Sequence, residues 1–425
     1  MPRHFKQQQH QQKKKRFKKN GCCLSAELLR KCGQLPTNSS NLYKFKYSVL
    51  RDKQESVAKE AIFELPSHVN DIVDLKILTV GYTTEYDYTT VYKFDEVKEN
   101  IENIIILKNE LEKNQQMCRR NSEKLDIYKN LLNTQNIFYN RCSIKLLNLN
   151  CIFENIIAKA MVDGVFYVDL CCAPGGFTHF LMSYFKNVNI TAYLTSMHQV
   201  SSFLSIDYKA LNAVKRNNTL HIIEGDILEK KFRDTFQKNV VEKVSFVLAD
   251  GGIDFSKKEN YQEFYSRHLC LAQMIVGMTV LKDGGFIICK YFDLFSKYMA
   301  TMLYIISFVF EEIKITKPDS SKCGNAERYI LFKNFKPDVK IMNFLEDVLK
   351  ESIQHEKEED GMIITSMISE TELNSNKFLN FSKKLTNVNK YFNNLQFTAL
   401  QKYLDYIKIP DKLPRVYTVY NHDSL

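Results

Sequence analysis

No stretch of this 425-residue chain offers the roughly 20 apolar residues that a membrane-spanning helix needs. Its strongest apolar run, around Met302 to Phe310, is far shorter, so no membrane partner is expected. The basic N-terminus has no apolar segment behind it, and no secretory leader is expected either. Cys-x-x-Cys spacing is also missing. The eleven cysteines are odd in number and include two adjacent pairs, Cys22-Cys23 and Cys171-Cys172. That pattern supports neither a disulfide framework nor a zinc ribbon and fits reduced thiols in an intracellular compartment. No metal site is expected. The dinucleotide fingerprint GxGxxG, the P-loop Gly-Lys-Ser/Thr and internal repeats are absent as well. The bulk composition is ordinary for a globular protein, with 44% apolar and 25% charged residues. The length suits one large domain with extensions, or two domains.

Charge of one sign is missing from residues 1–20, MPRHFKQQQHQQKKKRFKKN, which hold eight Lys or Arg and no acid. The whole chain carries +10, so the other 405 residues net only about +2, ten less eight. Such a Gln- and Lys-rich segment buries nothing and reads as a disordered tail. Three readings stay open for it: a solubilising tail, a nucleic-acid tether, and a nuclear address in KKKRFKK. The nucleus is the expected location, with the cytoplasm as the alternative. Because the rest is nearly neutral, any nucleic-acid site there must be a local patch.

Four segments follow from a pass along the chain: the tail (1–20), a mixed N-terminal extension (21–135), an alternating strand–helix region (136–336) and a mostly helical C-terminal extension (337–425). In the third, FYVDL, ITAYLT, LHIIEGDI, SFVLADGG, GFIICKYF, EEIKITK and RYILFKNF read as strands. LCLAQMIVGMTVL and SKYMATMLYIISFVF read as helices. This alternation predicts an α/β fold with a mostly parallel sheet flanked by helices. Only a turn separates the last two strands, which predicts an antiparallel hairpin at the sheet edge.

FYVDLCCAPGGFTHFL (166–181) is the most informative stretch. An apolar strand ends at an acid, Asp169, and a Pro-Gly-Gly turn leads into a helix. Glycines admit a ligand close to the backbone, and the helix N-terminus carries positive partial charge. In open α/β sheets ligands lie beyond the C-terminal strand ends. Two further strands deliver polar groups to the same edge: SFVLADGG ends at Asp250, and GGFIICKYF places Lys290 among apolar residues. Glu327 precedes a fourth strand, RYILFKNF. A lysine in such company is not a solvated surface charge.

At these residues the chain resembles the FtsJ-type (RrmJ-like) 2′-O-methyltransferases. DLCCAPGGF is similar to their first motif. FVLADGGIDFSKKENYQE, GGFIICKYFDLF and KPDSSKCGNAERYILFKNF resemble the cap-specific branch, which includes viral members, and FYNRCSIKLLNLN (138–150) resembles that branch's upstream segment. The resemblance implies a Rossmann-like class I methyltransferase fold with an antiparallel edge strand. It implies S-adenosylmethionine as cofactor and methylation of the ribose 2′-OH of the first transcribed nucleotides of capped mRNA. A catalytic tetrad of Lys145, Asp250, Lys290 and Glu327 follows from it. So do cofactor contacts at Asp169, Cys171, Cys172, Ala173, Pro174, Gly175, Gly176, Phe177, Asp226 and Ile227, and RNA contacts at Asn140, Asn260 and Asn325. Capping enzymes or RNA polymerase are further partners such a role would bring. The chain departs from the family pattern at Ala326, usually Ser, and at Ser321-Lys322, usually Ser-Arg. Losing that arginine weakens any bidentate phosphate contact. A ribosomal or transfer RNA methyltransferase, and a non-catalytic RNA-binding subunit, are the competing readings.

The chemistry agrees with the tetrad. Displacement at a sulfonium methyl needs mainly an oriented hydroxyl and a proton acceptor. Lysine's ordinary pKa is about 10.4. Lys290 is therefore expected to be pushed toward neutrality by burial and by the like charge of Lys145, with Asp250 opposing and orienting it and Glu327 holding Lys145.

Overall fold

A computed structural model describes residues 61–81, 95–114, 138–197, 205–255, 259–358 and 362–408. The Lys-rich tail lies outside the described residues. In chain order the elements are β1 (Phe63–Leu65), β2 (Leu75–Gly81), α1 (Asp95–Glu112), α2 (Arg141–Ile152), α3 (Ile156–Ala160), β3 (Val165–Leu170), α4 (Gly176–Tyr184), β4 (Ile190–Ser196), α5 (Tyr208–Lys215), β5 (Thr219–Glu224), α6 (Lys230–Asn239) and β6 (Val244–Ala249). A short 3-10 turn (Glu259–Tyr261) precedes α7 (Gln262–Val280), β7 (Leu281–Phe292), α8 (Lys297–Ile306), β8 (Phe310–Thr316), β9 (Glu327–Phe335), α9 (Val339–Glu358), β10 (Met362–Ile368), α10 (Glu370–Leu373) and α11 (Asn376–Lys408).

The main sheet has eight strands in the order β1-β8-β9-β7-β6-β3-β4-β5. From β5 to β7 all pairings are parallel. Of these, β3, β4, β6 and the second half of β7 are buried on both faces, which is why they read as continuous apolar runs, whereas the edge strand β5 is partly exposed. The strand order reverses between β3 and β6, so the two halves of the sheet diverge there and open a crevice beyond the strand ends. Asp169 and Asp250 lie at that crevice because β3 and β6 pair directly, with Asp169 opposite Leu248.

Side chains alternate across the sheet. On one face Tyr167, Phe246 and Phe286 stack across three neighbouring strands with ring centroids 5.1 Å apart, and this face packs under α2, α3 and α4. The opposite face, with Val168, Val247 and Ile287, packs under α7, α8 and α9. The long apolar run around Met302 to Phe310 is the end of α8 and the start of β8, both in the core. Among the described residues no helix is long and apolar enough to cross a membrane.

One expectation is corrected. β8 and β9 do pair as an antiparallel hairpin, but the hairpin is not the rim of the sheet. β9 lies against β7, and β1 from the N-terminal segment covers β8. The C-terminal segment also contributes a strand, because β10 pairs with β2 in a second, two-stranded sheet.

The C-terminal segment joins the same core. Phe381 of α11 is fully buried, with its ring 5.3 Å from Tyr304 of α8 and 6.2 Å from His68. His68 in turn stacks on Phe308 and bonds Ser307 Oγ through Nδ1 at 2.8 Å. Phe381→Ala should therefore cost about 3–5 kcal/mol within one cooperative urea transition. A separate early transition for helical signal would show α11 to be an independent unit.

Candidate active site

The turn after β3 is built by geometry that only these residues allow. Gly175 has φ +108°, in the left-handed region, and Gly176 leaves no room for a side chain: a Cβ there would lie 2.1 Å from Asn140 Oδ1. The Cys172 N–H donates to Thr195 O at 2.9 Å, drawing the turn to the end of β4. Cys172 and Phe177 are packed into the core, so they can offer a ligand only backbone. Cys171, Ala173 and Pro174 are half-exposed.

Asp169 is 1% exposed. Its Oδ2 accepts from Thr178 Oγ1 at 2.7 Å, and Tyr167 OH donates to the same Thr178 oxygen at 3.1 Å. Asp169 Oδ1 is buried without a protein partner. Burial pushes this carboxyl up to about 7, against the hydrogen bond from Thr178. A buried carboxylate oxygen with no donor, beside a glycine turn, is built to meet a donor from outside the chain.

Beyond β5, Asp226 Oδ1 accepts from the Leu228 N–H at 2.8 Å and closes a turn. It is not the N-cap of α6, which is Glu229. Gly225 N–H donates to Ser196 O at 2.8 Å, so this turn also lies at the sheet's C-terminal edge. Ile227 is buried in the core.

Lys145, Asp250, Lys290 and Glu327 come together. Lys145 arrives on α2, and its Nζ lies 2.8 Å from Glu327 Oε1. Lys290 Nζ lies 3.1 Å from Asp250 Oδ1 and donates to Asp250 O at 2.8 Å. Pairing of β7 with β9 sets Lys290 opposite Tyr329 and Phe292 opposite Glu327. With a side-chain period of two, Lys290, Tyr329 and Glu327 therefore share the face under α2. Tyr329 OH donates to Asp250 Oδ1 at 2.7 Å, and Ser321 Oγ donates to Glu327 Oε1. Behind the site, Gln273 of α7 accepts the Gly251 N–H at 2.9 Å and pins the turn after Asp250.

The electrostatics correct one expectation. Burial pushes Lys290 down, but Asp250 and then Glu327 outweigh it, and the ammonium is held above its ordinary value. Lys145 behaves likewise, with burial overcome by Glu327 and Asp250. Burial pushes Glu327 up, yet Lys145, Lys290 and Lys317 bring it down to about 2. Lys317 is lowered to about 8 by burial. It donates to Asn325 O, Asn325 Oδ1 and Glu327 O at 2.6–2.8 Å, bracing the loop that precedes β9.

The three asparagines are held by the fold itself. Asn140 caps α2, accepting the Ser143 N–H at 3.2 Å. Asn325 Oδ1 is taken by Lys317. Asn260 donates to Asn109 of α1 at 2.8 Å, while its Oδ1 is buried without a partner. Tyr329, Thr178, Gln273 and Lys317 escape the sequence reading. Tyr329 alone leaves a signal, two residues beyond Glu327 on the same strand.

This sheet order, with a glycine turn after the first parallel strand of the crevice, defines a Rossmann-like class I methyltransferase fold. Residues 138–335 match the model of the FtsJ-like methyltransferase family. The mouse cap-specific mRNA (nucleoside-2′-O-)-methyltransferase 1 is 24% identical over 289 residues, covering 62% of this chain and 34% of its own. The Drosophila melanogaster protein of the same name is 27% identical over 217 residues, covering 48% and 27% respectively. The chain thus spans about a third or less of the length of these relatives. A solved structure from Plasmodium falciparum, described as a ribosomal RNA methyltransferase, superposes with a TM-score of 0.35 at 18% identity, covering 46% of this chain and 97% of its own.

The Lys145–Glu327 pair makes a test. Removing one partner of a buried ion pair strands the other, so Glu327→Gln should cost about 3–5 kcal/mol in urea denaturation. The double variant Lys145→Met/Glu327→Leu should lose less, because no charge is left unpaired. Since Glu327 lies below its ordinary value of 4.5, its stabilisation is full above that pH and fades as pH falls toward 2. Equal losses in the single and double variants would show that the pairing contributes nothing.

Proposed function

We propose that this chain transfers a methyl group from S-adenosylmethionine to the ribose 2′-OH of the first transcribed nucleotides of capped mRNA. The observation that carries the reading is the convergence of Lys145, Asp250, Lys290 and Glu327 beside the Asp169 glycine turn. The relatives' names support a capped RNA substrate.

The orphaned Asp169 Oδ1 and the glycine turn fit the polar, cationic end of S-adenosylmethionine. Asp226 and the backbone of Ile227, in the turn after β5, would meet its adenosine. When bound, the cofactor supplies an electrophilic methyl on a sulfonium. The chain's own task is to orient the ribose hydroxyl and take its proton as the new C–O bond forms and the C–S bond breaks. Lys290 Nζ is the acceptor. In the free chain it is an ammonium, so it must first release its own proton to solvent water. Every cation brought beside it lowers its pKa, and the Asp250 carboxylate fixes where its Nζ points. Lys145, clamped by Glu327, is a fixed cation at the same place and stabilises the oxygen as charge develops on it.

Lys290→Ala should abolish transfer to short capped RNA while leaving cofactor affinity, read by calorimetry, nearly unchanged. A variant retaining a few per cent of wild-type rate would remove Lys290 as the base. Comparing matched capped and uncapped RNAs decides the substrate: equal rates on both would reassign the chain to structural RNA. Asp169 supplies a second test. Its carboxyl must be ionised to receive a cationic donor, so cofactor affinity should fall by up to about tenfold per pH unit between pH 7 and pH 5.5. Asp169→Asn should flatten that dependence. Constant wild-type affinity over this range would place the cofactor's cationic end elsewhere.

A further inference from the structure

One residue past Glu327, on the opposite face of β9, sits the guanidinium of Arg328. It is 1% exposed and is among the largest fully buried side chains. A charge so placed is costly unless its donors are used. Its acceptors are the Asp293 carbonyl, Asn389 Oδ1 and Asn393 Oδ1. The rings of Phe295 and Phe392 lie 5.8 and 5.1 Å from it. All three acceptors are neutral, and Asp293 and Glu263 act on it only through space. The arrangement looks inefficient as a stabilising device, which points to a different purpose.

These contacts join three elements that the tetrad needs in register. Asp293 begins the turn that leaves β7, three residues after Lys290. Both Asp293 and Leu294 are in the left-handed region, at φ 53° and 114°, a conformation that side chains with a Cβ adopt only when held. The holders are identifiable. Glu263 accepts the N–H groups of Leu294, Phe295 and Ser296 at 2.6–2.9 Å. Asn389 donates to Leu294 O at 2.7 Å, and Asp293 N–H donates to Ala326 O at 3.2 Å. Arg328 and Asn389 thus lock the exit of the Lys290 strand to the start of the Glu327 strand. Farther along α11, Gln396 donates to Gly324 O at 3.2 Å, in the loop that leads to Glu327. Asn389, Asn393 and Gln396 are all buried, at i, i+4 and i+7, and form a polar stripe on a helix face otherwise lined by Leu385, Val388 and Phe392. That helix lies outside residues 138–335, the segment that matches the family.

We propose that Arg328, clamped by Asn389 and Asn393, is a positioning residue that sets the spacing of Lys290 and Glu327, so that α11 belongs to the catalytic machinery. This rests on the tetrad reading given above. Displacement of a reacting group by about 1 Å, caused at a distance, can lower a rate about 10²-fold.

The test uses the full chain with saturating cofactor and capped RNA, and compares wild type, Asn389→Leu and Asn389→Asp. Asn389→Leu removes the acceptor for Arg328 and the donor for Leu294. It should lower kcat about 10- to 100-fold while cofactor affinity and KM stay within about twofold. Asn389→Asp keeps an acceptor for Arg328 and should recover most of that loss. Wild-type kcat in Asn389→Leu, or an Asp variant as slow as the Leu variant, overturns the proposal. If Asn389→Leu fails to bind cofactor because it misfolds, Asn393→Ala, which removes one longer contact, is judged by the same kcat and KM criteria. The wild-type rate separates the two readings. No transfer by wild type to any RNA sinks the proposed function, whereas an active wild type with an equally active Asn389→Leu sinks only this inference.

Discussion

The ion pair between Lys145 and Glu327 is the constraint around which the site is organised. Each charge is almost dry, and neither would tolerate that place without the other. To meet, α2 must pack over the face of the sheet that carries Lys290 and Tyr329, and β9 must run against β7 so that its first residue arrives where its neighbour delivers its last. The hairpin β8–β9, the hydrogen bond from Ser321 and the brace of Lys317 all serve that meeting. The pair also fixes the electrostatics, since Glu327 is among the anions that keep Lys290 protonated in the free chain.

What is legible in the sequence is what is local. The β3 strand, Asp169 next to its end and the two glycines lie within twelve residues, so strand, turn and helix can be read together. Asp250 stands out because it closes an apolar run, and Lys290 because it interrupts one. Lys145 does not: among 59 Lys and Arg nothing local marks it, and only the resemblance singles it out. The protonation of Lys290 is misjudged for a physical reason. Burial can be guessed from its apolar neighbours, but the field of Asp250 and Glu327 arises from strands remote in sequence, and it exceeds the effect of burial.

Other elements are invisible for the same reason. β10, MIITSMI, is a short apolar run between helical stretches, and its partner β2 lies near the other end of the described chain. β1 is only three residues long and exists because β8 offers it an edge. Asn389 and Asn393 look like solvated helix positions, and their burial becomes intelligible only once Arg328 is seen beneath them. Both extensions are thereby tied to the sheet: one covers its edge, and the other reaches the residue next to Glu327.

The sequence distances involved have a kinetic consequence. Lys145 and Glu327 are 182 residues apart, and Arg328 meets Asn393 a further 65 residues on. Closing such long loops carries an entropic cost before any contact compensates for it, so contacts of this separation form late. A chain emerging from the ribosome presents its glycine turn, from β3 to α4, long before β9 exists, and β9 before α11. The part of the sheet around Asp169 can form while the tetrad is still incomplete. On the proposed role of α11, the tetrad is set only once that helix has been made, and a chain cut short before it lacks the contacts of Asn389 and Asn393 with Arg328.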